Sequence, residues 1–158
     1  YGSIDVKNPR RLIRALEVAI LSGESLSKLR NNKPEPLFET LQIGIQRPIE
    51  ELYQRINNRA EKLIEQGWID ETRKLLKQKY TWNLPSMSSL GYKQIGDYLR
   101  EEKSLEDAIA GIKRDTRHYA RRQITWFKRD KRIHWVDGKN MAEPEKLIRE
   151  FLETDNAD

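Results

Sequence analysis

The residues best suited to binding a polyanion are the nine Lys and Arg of residues 113–132. The same stretch has only two acidic residues, Asp115 and Asp130. No proline interrupts residues 105–130, and Ser104 is a suitable N-cap, so this segment is predicted to be the second half of a long helix. At about 100° per residue, its basic residues occupy one side and the adjoining flank. Those on the side are Lys113, Arg117, Arg121 and Lys128, and those on the flank are Arg114, His118, Arg122 and Arg129. Such a surface can offer cations to phosphates, and the alternative is a solvated charged face.

The opposite side of this helix is predicted to pack on a core. It carries Ile109, Ile112, Tyr119, Trp126 and Phe127. Two polar residues, Thr116 and Gln123, lie within this apolar stripe. A neutral amide such as that of Gln123 must find hydrogen-bond partners there, because an unsatisfied one costs about 1–3 kcal/mol.

Two smaller groups of arginines could likewise either bind an anion or form a solvated face. Arg10, Arg11 and Arg14 stand at the start of a helix that Asn8 or Asp5 caps and Pro9 opens. Cations there oppose the helix dipole, so an external anion would explain them, and a solvated face is the alternative. Arg55 and Arg59 are four residues apart on one helical face. With Arg47 they either form a polyanion clamp or pair with Glu51 and solvent.

Composition narrows the classes of protein. The chain has 158 residues, a formal net charge of +5, no Cys and two His. Disulfides and thiolate metal sites are excluded, and a His-based metal site is disfavoured. No run of about 18 apolar residues predicts a membrane span. The sequence contains no G-x-x-x-x-G-K-[ST], G-x-G-x-x-G or H-E-x-x-H motif.

Hydrophobic spacing predicts a mainly α fold with two short strands. The strands are residues 41–46 and 133–136, and the helices are residues 9–23, 48–67, 69–79, 90–100, 105–130 and 144–152. Gly67 is the expected C-cap of the second helix, and residues 22–40 and 82–89 are expected to be loops. From the residues alone, this is a helical nucleic-acid-binding module with two unexplained strands.

Four segments carry a more specific signal. They are RRLIRALEV (10–18), RINNRAEKLIEQG (55–67), PSMSSLGYKQI (85–95) and TRHYARRQITWFKR (116–129). In this order and spacing they closely resemble the tRNA dimethylallyltransferases, and the resemblance extends to about Asp137. That family transfers a dimethylallyl group from dimethylallyl diphosphate to the exocyclic amine of the adenine immediately 3′ of the anticodon. The resemblance therefore implies dimethylallyl diphosphate and the tRNA anticodon stem-loop as partners.

The resemblance also implies which parts of such an enzyme are present. Family members begin with a strand, a nucleotide-binding (ATP-type) P-loop and an Asp proposed as general base, none of which occurs here. The chain thus resembles the C-terminal half, and Mg²⁺, the expected cofactor, would find its ligands in the other half. We expect the isolated chain to lack transferase activity. The alternative is a non-catalytic helical RNA- or DNA-binding module.

The same resemblance implies the fold and the division of the chain. The two strands would be parallel neighbours in a P-loop-like α/β transferase. Residues 1–40 would be a helix and linker from the tRNA-facing insertion, residues 41–140 the C-terminal part of the core, and residues 141–158 the last helix and tail. We expect a cytoplasmic protein, monomeric at full length, whose isolated fragment can self-associate through an open sheet edge.

Site residues follow by resemblance. Arg55 and Arg59 would bind the diphosphate, and no residue of this chain would be catalytic or bind metal. The residues expected to contact tRNA are Arg10, Arg11, Arg14, Ser88, Ser89, Gly91, Tyr92, Lys93, Arg117, Arg121, Arg122, Gln123, Thr125, Trp126 and Lys128. Ser88-Ser89-Leu90 departs from the family, whose members often carry a basic residue there. Gln123 is expected either to contact the flipped adenine or order its channel, or to bond nearby backbone.

Overall fold

A computed structural model describes residues 8–31 and 37–155. The chain divides into two compact units, Tyr1–Thr40 and Leu41–Asp158. The alternative cap Asp5, part of the expected linker (32–36) and the end of the tail (156–158) lie outside the described residues. Among the described residues, no helix is both long enough and apolar enough to cross a membrane.

The first unit contains helix α1 (Pro9–Ser22) and helix α2 (Leu26–Asn31). Asn8 caps α1 by accepting the Arg11 N–H, and Gly23 ends it in the left-handed region with φ 70°. Helix α2 lies within the segment 22–40, which was expected to be a loop, so that prediction is wrong there. Ser25 starts the helix by accepting the Lys28 N–H at 3.3 Å, and six residues are too few to show a helical period.

The described residues of the second unit form two strands, five α-helices and one short 3₁₀ helix. Strands β1 (Gln42–Gln46) and β2 (Ile133–Asp137) are parallel, in a register that pairs Gln42 with Ile133 and Gln46 with Asp137. Between them lie α3 (Ile49–Glu65), α4 (Trp68–Lys77), α5 (Tyr92–Leu99) and α6 (Leu105–Phe127), and α7 (Ala142–Asp155) follows. A parallel pair needs such a helical crossover. The predicted mainly α fold with two short parallel strands is confirmed.

Several element boundaries differ from prediction for local reasons. Gly67 has φ 96° and joins α3 to α4, while the C-cap of α3 is Gln66. The expected loop 82–89 contains a short 3₁₀ helix, Pro85–Ser88. Pro85 presets φ at its first position, and i→i+3 bonds such as Met87 N–H to Leu84 O at 3.0 Å complete it.

The core of the second unit joins three helices. Ala60 of α3, Ile95 of α5 and Ile112 of α6 are buried together. Ile64, Trp68, Ile69 and Leu99 pack around them. Helix α6 is buried only at Ala108, Gly111 and Ile112, all in its first third, so its remaining turns are available for other contacts.

Replacing Ile112 by Ala should lower the free energy of unfolding by about 2–5 kcal/mol, because Ile112 is 2% exposed and the change leaves a cavity. The control is Ile148→Ala in the same unit, where the side chain is 45% exposed and the cost should be under about 1 kcal/mol. Urea denaturation followed by circular dichroism measures both. Equal losses would show that this cluster is not the core.

Candidate functional site

Helices α3 and α6 are joined by a polar ladder with three rungs, which we call the α3–α6 ladder. Lys113 pairs with Glu61, Arg117 Nη1 donates to Asn57 Oδ1 at 2.8 Å, and Arg121 Nε donates to the Tyr53 hydroxyl. Along α6 the residue numbers of the rungs increase, while those of their partners on α3 decrease, so the two helices are antiparallel. Each rung is four residues from the next on both helices, which keeps all six side chains on facing surfaces.

This ladder changes the interpretation of the basic helix. Three of the four cations expected on its open side, Lys113, Arg117 and Arg121, have partners within the chain. The guanidinium groups of Arg117 and Arg121 also lie 5.8 and 5.3 Å from the centre of the Tyr53 ring. The fourth cation, Lys128, is exposed, and its side chain has no ion pair within the described part of the chain. Lys113, Arg117 and Arg121 therefore position α6 through contacts within the chain.

The expected apolar stripe of α6 is buried only at its start, so the prediction that it packs on a core is wrong for its second half. Tyr119 is 50% exposed and Trp126 67% exposed. Trp126 packs edge-to-face on Phe127 with ring centres 4.9 Å apart, and the Arg122 guanidinium lies 5.9 Å from the Tyr119 ring centre. Thr125 is exposed and donates its hydroxyl to Arg121 O at 3.0 Å. Exposed aromatics interleaved with arginine suit the stacking of unpaired bases.

A cavity of about 560 Å³ lies between the two-stranded sheet and helices α3 and α6. We call it the apolar cavity, since most of its described lining residues are apolar and only Gln42 and Gln123 among them carry an amide. It is lined by Gln42, Ile43, Gly44, Ile45, Leu52, Ala120, Gln123, Ile124, Phe127, Ile133 and Trp135. Gln123 is exposed, and within residues 8–31 and 37–155 its side chain makes no hydrogen bond. The backbone-bonded alternative for Gln123 therefore finds no support.

A second cavity of about 510 Å³, the cationic cleft, adjoins the first. Both share the apolar residues Ile45, Leu52, Ile124 and Trp135 as lining. The cleft adds three cations, Arg47, Arg55 and Lys128. Apolar and cationic space thus lie side by side, as an amphiphile with an apolar tail and an anionic head requires.

Arg55 also lines a third cavity, a groove of about 690 Å³ along α3 with Arg59 and Lys62. Arg55 and Arg59 are exposed, and neither has an ion pair in the parts of the chain that are described. The structure therefore brings these two predicted residues together with a third cation, Lys62, which the sequence interpretation missed. Its spacing from Arg55 and Arg59, seven and three residues, could have revealed it.

Arg47 differs from the other two arginines of the expected clamp. Its Nη1 donates to Glu51 at 2.7 Å and its Nη2 to Gly138 O at 3.0 Å, so it ties the start of α3 to the end of β2. Lys139 Nζ lies 2.8 Å from the other Glu51 oxygen. Lys139 first and Arg47 second hold the pKa of Glu51 below its ordinary value. For Arg47, the ion-pairing alternative is confirmed.

The turn at residues 88–93 is closely tied to the protein. Ser88 and Ser89 donate their hydroxyls to Pro85 O at 2.8 Å and Ser86 O at 2.6 Å. Their oxygens remain acceptors, which suits an RNA 2′-OH better than a phosphate. Tyr92 donates to Glu71 at 2.5 Å, which raises the pKa of the Tyr92 hydroxyl. Lys93 is exposed and carries the positive charge of this turn.

Arg10, Arg11 and Arg14, the three arginines of α1, are all exposed. Arg14 pairs with Glu17 at 3.2 Å, and the Arg11 N–H bonds Asn8. Arg10 lies one residue into the helix. Their expected role as tRNA contacts stays a prediction.

A metal site was expected outside this chain. Among the residues that the structure describes, no group of three or more His, Asp or Glu is arranged to hold a metal ion. Where Mg²⁺ would find its ligands stays a prediction.

The fold is similar to that of tRNA isopentenylpyrophosphate transferases. The chain superposes on the tRNA delta(2)-isopentenylpyrophosphate transferase of Staphylococcus epidermidis with a TM-score of 0.68 and 29% identity, covering 99% of this chain and 51% of that one. The full-length tRNA isopentenylpyrophosphate transferase of Bacillus halodurans gives a TM-score of 0.67 and 33% identity, covering 97% and 47%.

Sequence comparison agrees with the structural one. The tRNA dimethylallyltransferase 1 of Bacteroides thetaiotaomicron is 41% identical over 157 residues, which are 99% of this chain and 49% of that protein. The tRNA dimethylallyltransferase 2 of Geotalea uraniireducens is 46% identical over 129 residues, 80% of this chain and 42% of that protein. Residues 1–130 match the IPP transferase family. The chain belongs to the IPP transferase family, and it spans about half the length of the curated relatives it matches.

The Glu51 cluster makes a pH-dependent prediction. Because the pKa of Glu51 is lowered by folding, its contribution to stability is present above its unfolded pKa of about 4.3 and is lost as pH falls through the lower folded value. Glu51→Gln should therefore destabilise the protein near pH 7, and the difference from the native chain should shrink below about pH 4.3.

Urea denaturation at a series of pH values measures this difference. Glu65→Gln, at the far end of the same helix, is the control, since Glu65 has no ion pair in the described ranges. A Glu51→Gln difference that stayed constant from pH 7 to about pH 3 would contradict the assigned ion pairs.

Proposed function

We propose that this chain is part of a tRNA dimethylallyltransferase, which transfers a dimethylallyl group from dimethylallyl diphosphate to the adenine 3′ of the anticodon. The observation that carries the proposal is the contact between the apolar cavity and the cationic cleft. An allylic diphosphate has an apolar tail and a polyanionic head, and these two spaces match its two ends. Membership of the IPP transferase family supports the same activity.

The proposed reaction is a displacement at the allylic carbon. The carbon–oxygen bond to diphosphate breaks with its electron pair on oxygen, the adenine amine forms the new carbon–nitrogen bond, and the amine loses a proton. Negative charge grows on the diphosphate in the transition state, so fixed cations there accelerate the step. Arg55 and Arg59 take this role in the proposal. In the proposal, the general base and the ligands of Mg²⁺ are residues outside this chain. When bound, Mg²⁺ would stabilise the negative charge of the diphosphate.

The target adenine must leave its stack to reach the allylic carbon. Unstacking costs a few kcal/mol, which contacts to the anticodon stem-loop have to offset. Arg122, Thr125 and Trp126 offer an exposed surface for those contacts, and Gln123 opens into the apolar cavity. A glutamine amide both donates and accepts, so it can pair with an adenine edge. The proposal places the protein in the cytoplasm and includes Arg10, Arg11 and Arg14 as further tRNA contacts.

A chimera tests the diphosphate site. In the Bacteroides thetaiotaomicron enzyme, this chain replaces the matching 49%, and transfer of labelled dimethylallyl groups to an anticodon stem-loop is measured. Arg55→Ala and Arg59→Ala should each lower the rate about 10²–10³-fold, the usual loss for one fixed donor. Arg73→Ala, an exposed arginine of α4 paired with Asp70, is the control and should have the native rate. A folded chimera that binds both substrates without transfer would contradict the proposal.

Salt dependence tests the RNA surface. Lys128 is a better target than Arg121, since Arg121 belongs to the α3–α6 ladder. If Lys128 contacts a phosphate, Lys128→Ala should lower the slope of log K against log salt by about 0.7–0.9. Gln123→Leu should leave that slope unchanged and lower the transfer rate of the chimera. Normal transfer by folded Gln123→Leu would show that Gln123 contacts neither the base nor its channel.

A further inference from the structure

Gln94 is a buried polar residue that joins two helices, and the site described above does not use it. It lies in the first turn of α5 and is 7% exposed. Its Oε1 accepts the Gly91 N–H at 2.8 Å, and its Nε2 donates to Asp115 Oδ2 at 2.7 Å. One side chain thus connects the backbone of the turn 88–93 to the middle of α6.

The turn at Gly91 has little freedom to rearrange. Gly91 has φ 93° and ψ −59°, which a residue with a Cβ rarely adopts. A Cβ there would lie 2.0 Å from the Trp68 ring, so the backbone rests directly on this side chain. Trp68 also packs edge-to-face on Tyr92 at 5.8 Å. The Gly91 N–H is therefore held in one direction, and Gln94 is the acceptor that it meets.

Asp115 is fully engaged at this position. Its Oδ2 accepts from Gln94 and its Oδ1 from Arg114 Nε at 2.8 Å. Asp115 lies between the first two ladder residues of α6, Lys113 and Arg117, but on another face of the helix. The α3–α6 ladder therefore fixes where Asp115 lies along the helix axis. Through its hydrogen bond, Asp115 in turn fixes the position of the Gln94 side chain.

The face of α6 that carries Asp115 continues into the predicted RNA surface. At about 100° per residue, Asp115, Arg122 and Trp126 fall within about 40° of one another. Arg122 lies about 10 Å beyond Asp115 along the helix axis, at 1.5 Å per residue. The turn 88–93 and the exposed Arg122 and Trp126 are thus consecutive along one side of α6.

We infer that Gln94 and Asp115 are positioning residues that fix the turn 88–93 against α6, so that the turn and the Arg122–Trp126 face meet one anticodon stem-loop together. The inference rests on the proposed function, because it assigns a role to a surface that the function requires. Neither residue touches the substrate. Their effect is to remove the cost of ordering the turn at the moment of binding.

A swap of the two side-chain types tests the pair. Gln94→Glu places two carboxylates against each other and breaks the bond between them. In Gln94→Glu/Asp115→Asn, the new amide donates to the new carboxylate, which can still accept from Gly91 N–H. The native pair and the double variant each carry one carboxylate, so their net charge is equal. Gln78→Glu, at the exposed end of α4, controls for the extra charge of the single variant.

Two measurements are made on each folded variant: hydrogen exchange of the Gly91 amide in the free chain, and affinity for an anticodon stem-loop. Gln94→Glu should speed the exchange and weaken stem-loop binding, each by about tenfold, as expected for a lost buried hydrogen bond. The double variant should restore both. Binding of inorganic diphosphate should be equal in all variants, since Arg55 and Arg59 are on another helix.

Other outcomes overturn the inference in separable ways. Unchanged Gly91 exchange in Gln94→Glu would show that the pair does not hold the turn. Altered exchange with native stem-loop affinity would make the pair structural only. If the native chain binds diphosphate but no stem-loop, the RNA part of the proposed function fails, and with it the RNA role of the pair.

Discussion

The α3–α6 ladder is the interaction on which the rest of the site depends. The apolar core joins these helices only near Ala60 and Ile112, and α6 continues for fifteen residues beyond Ile112. Over the next three turns the contacts are polar, and the last is Arg121 on Tyr53. The ladder sets the register of the two helices, because its three rungs pair residues that are four positions apart on each helix. A change of one turn would move Gln123 and Lys128 by about 5.4 Å relative to Arg55.

That register decides what the two cavities can hold. Leu52 and Arg55 lie on α3, Ile124 lies on α6 and Lys128 is its C-cap. All four line the cationic cleft. The sheet supplies Ile45 and Trp135 as a common wall. Gly44 allows the Ile133 and Trp135 side chains to pack against β1, because a Cβ at this position would lie 2.7–2.9 Å from their atoms. Both helices must be in place for the two spaces to adjoin, and neither helix forms the paired spaces alone.

The sequence predicted the elements better than their contacts. Caps at Asn8 and Ser104, the two strands and the long helix follow from local chemistry, and the structure has them. It did not predict which side of α6 meets α3, because arginines at 117 and 121 suit solvent, phosphate or Tyr53 equally well. The spacing of Tyr53, Asn57 and Glu61 matches that of Lys113, Arg117 and Arg121, and this was the available signal. These two series of residues predict the ladder only if the two helices are already known to be antiparallel neighbours.

The exposed aromatic residues of α6 have a related explanation. Helix α5 has eight residues, and its first turn lies beside Asp115 through Gln94. Beyond that point, the face that α5 covers earlier is left open, and there Tyr119, Arg122 and Trp126 follow at helical spacing. Periodicity alone assigns Tyr119 and Trp126 to a core, because it cannot show where the neighbouring helix begins. Because α6 is longer than α5, one face of α6 changes from packing surface to exposed surface. The adjacent face, with Gln123 and Phe127, lines the apolar cavity.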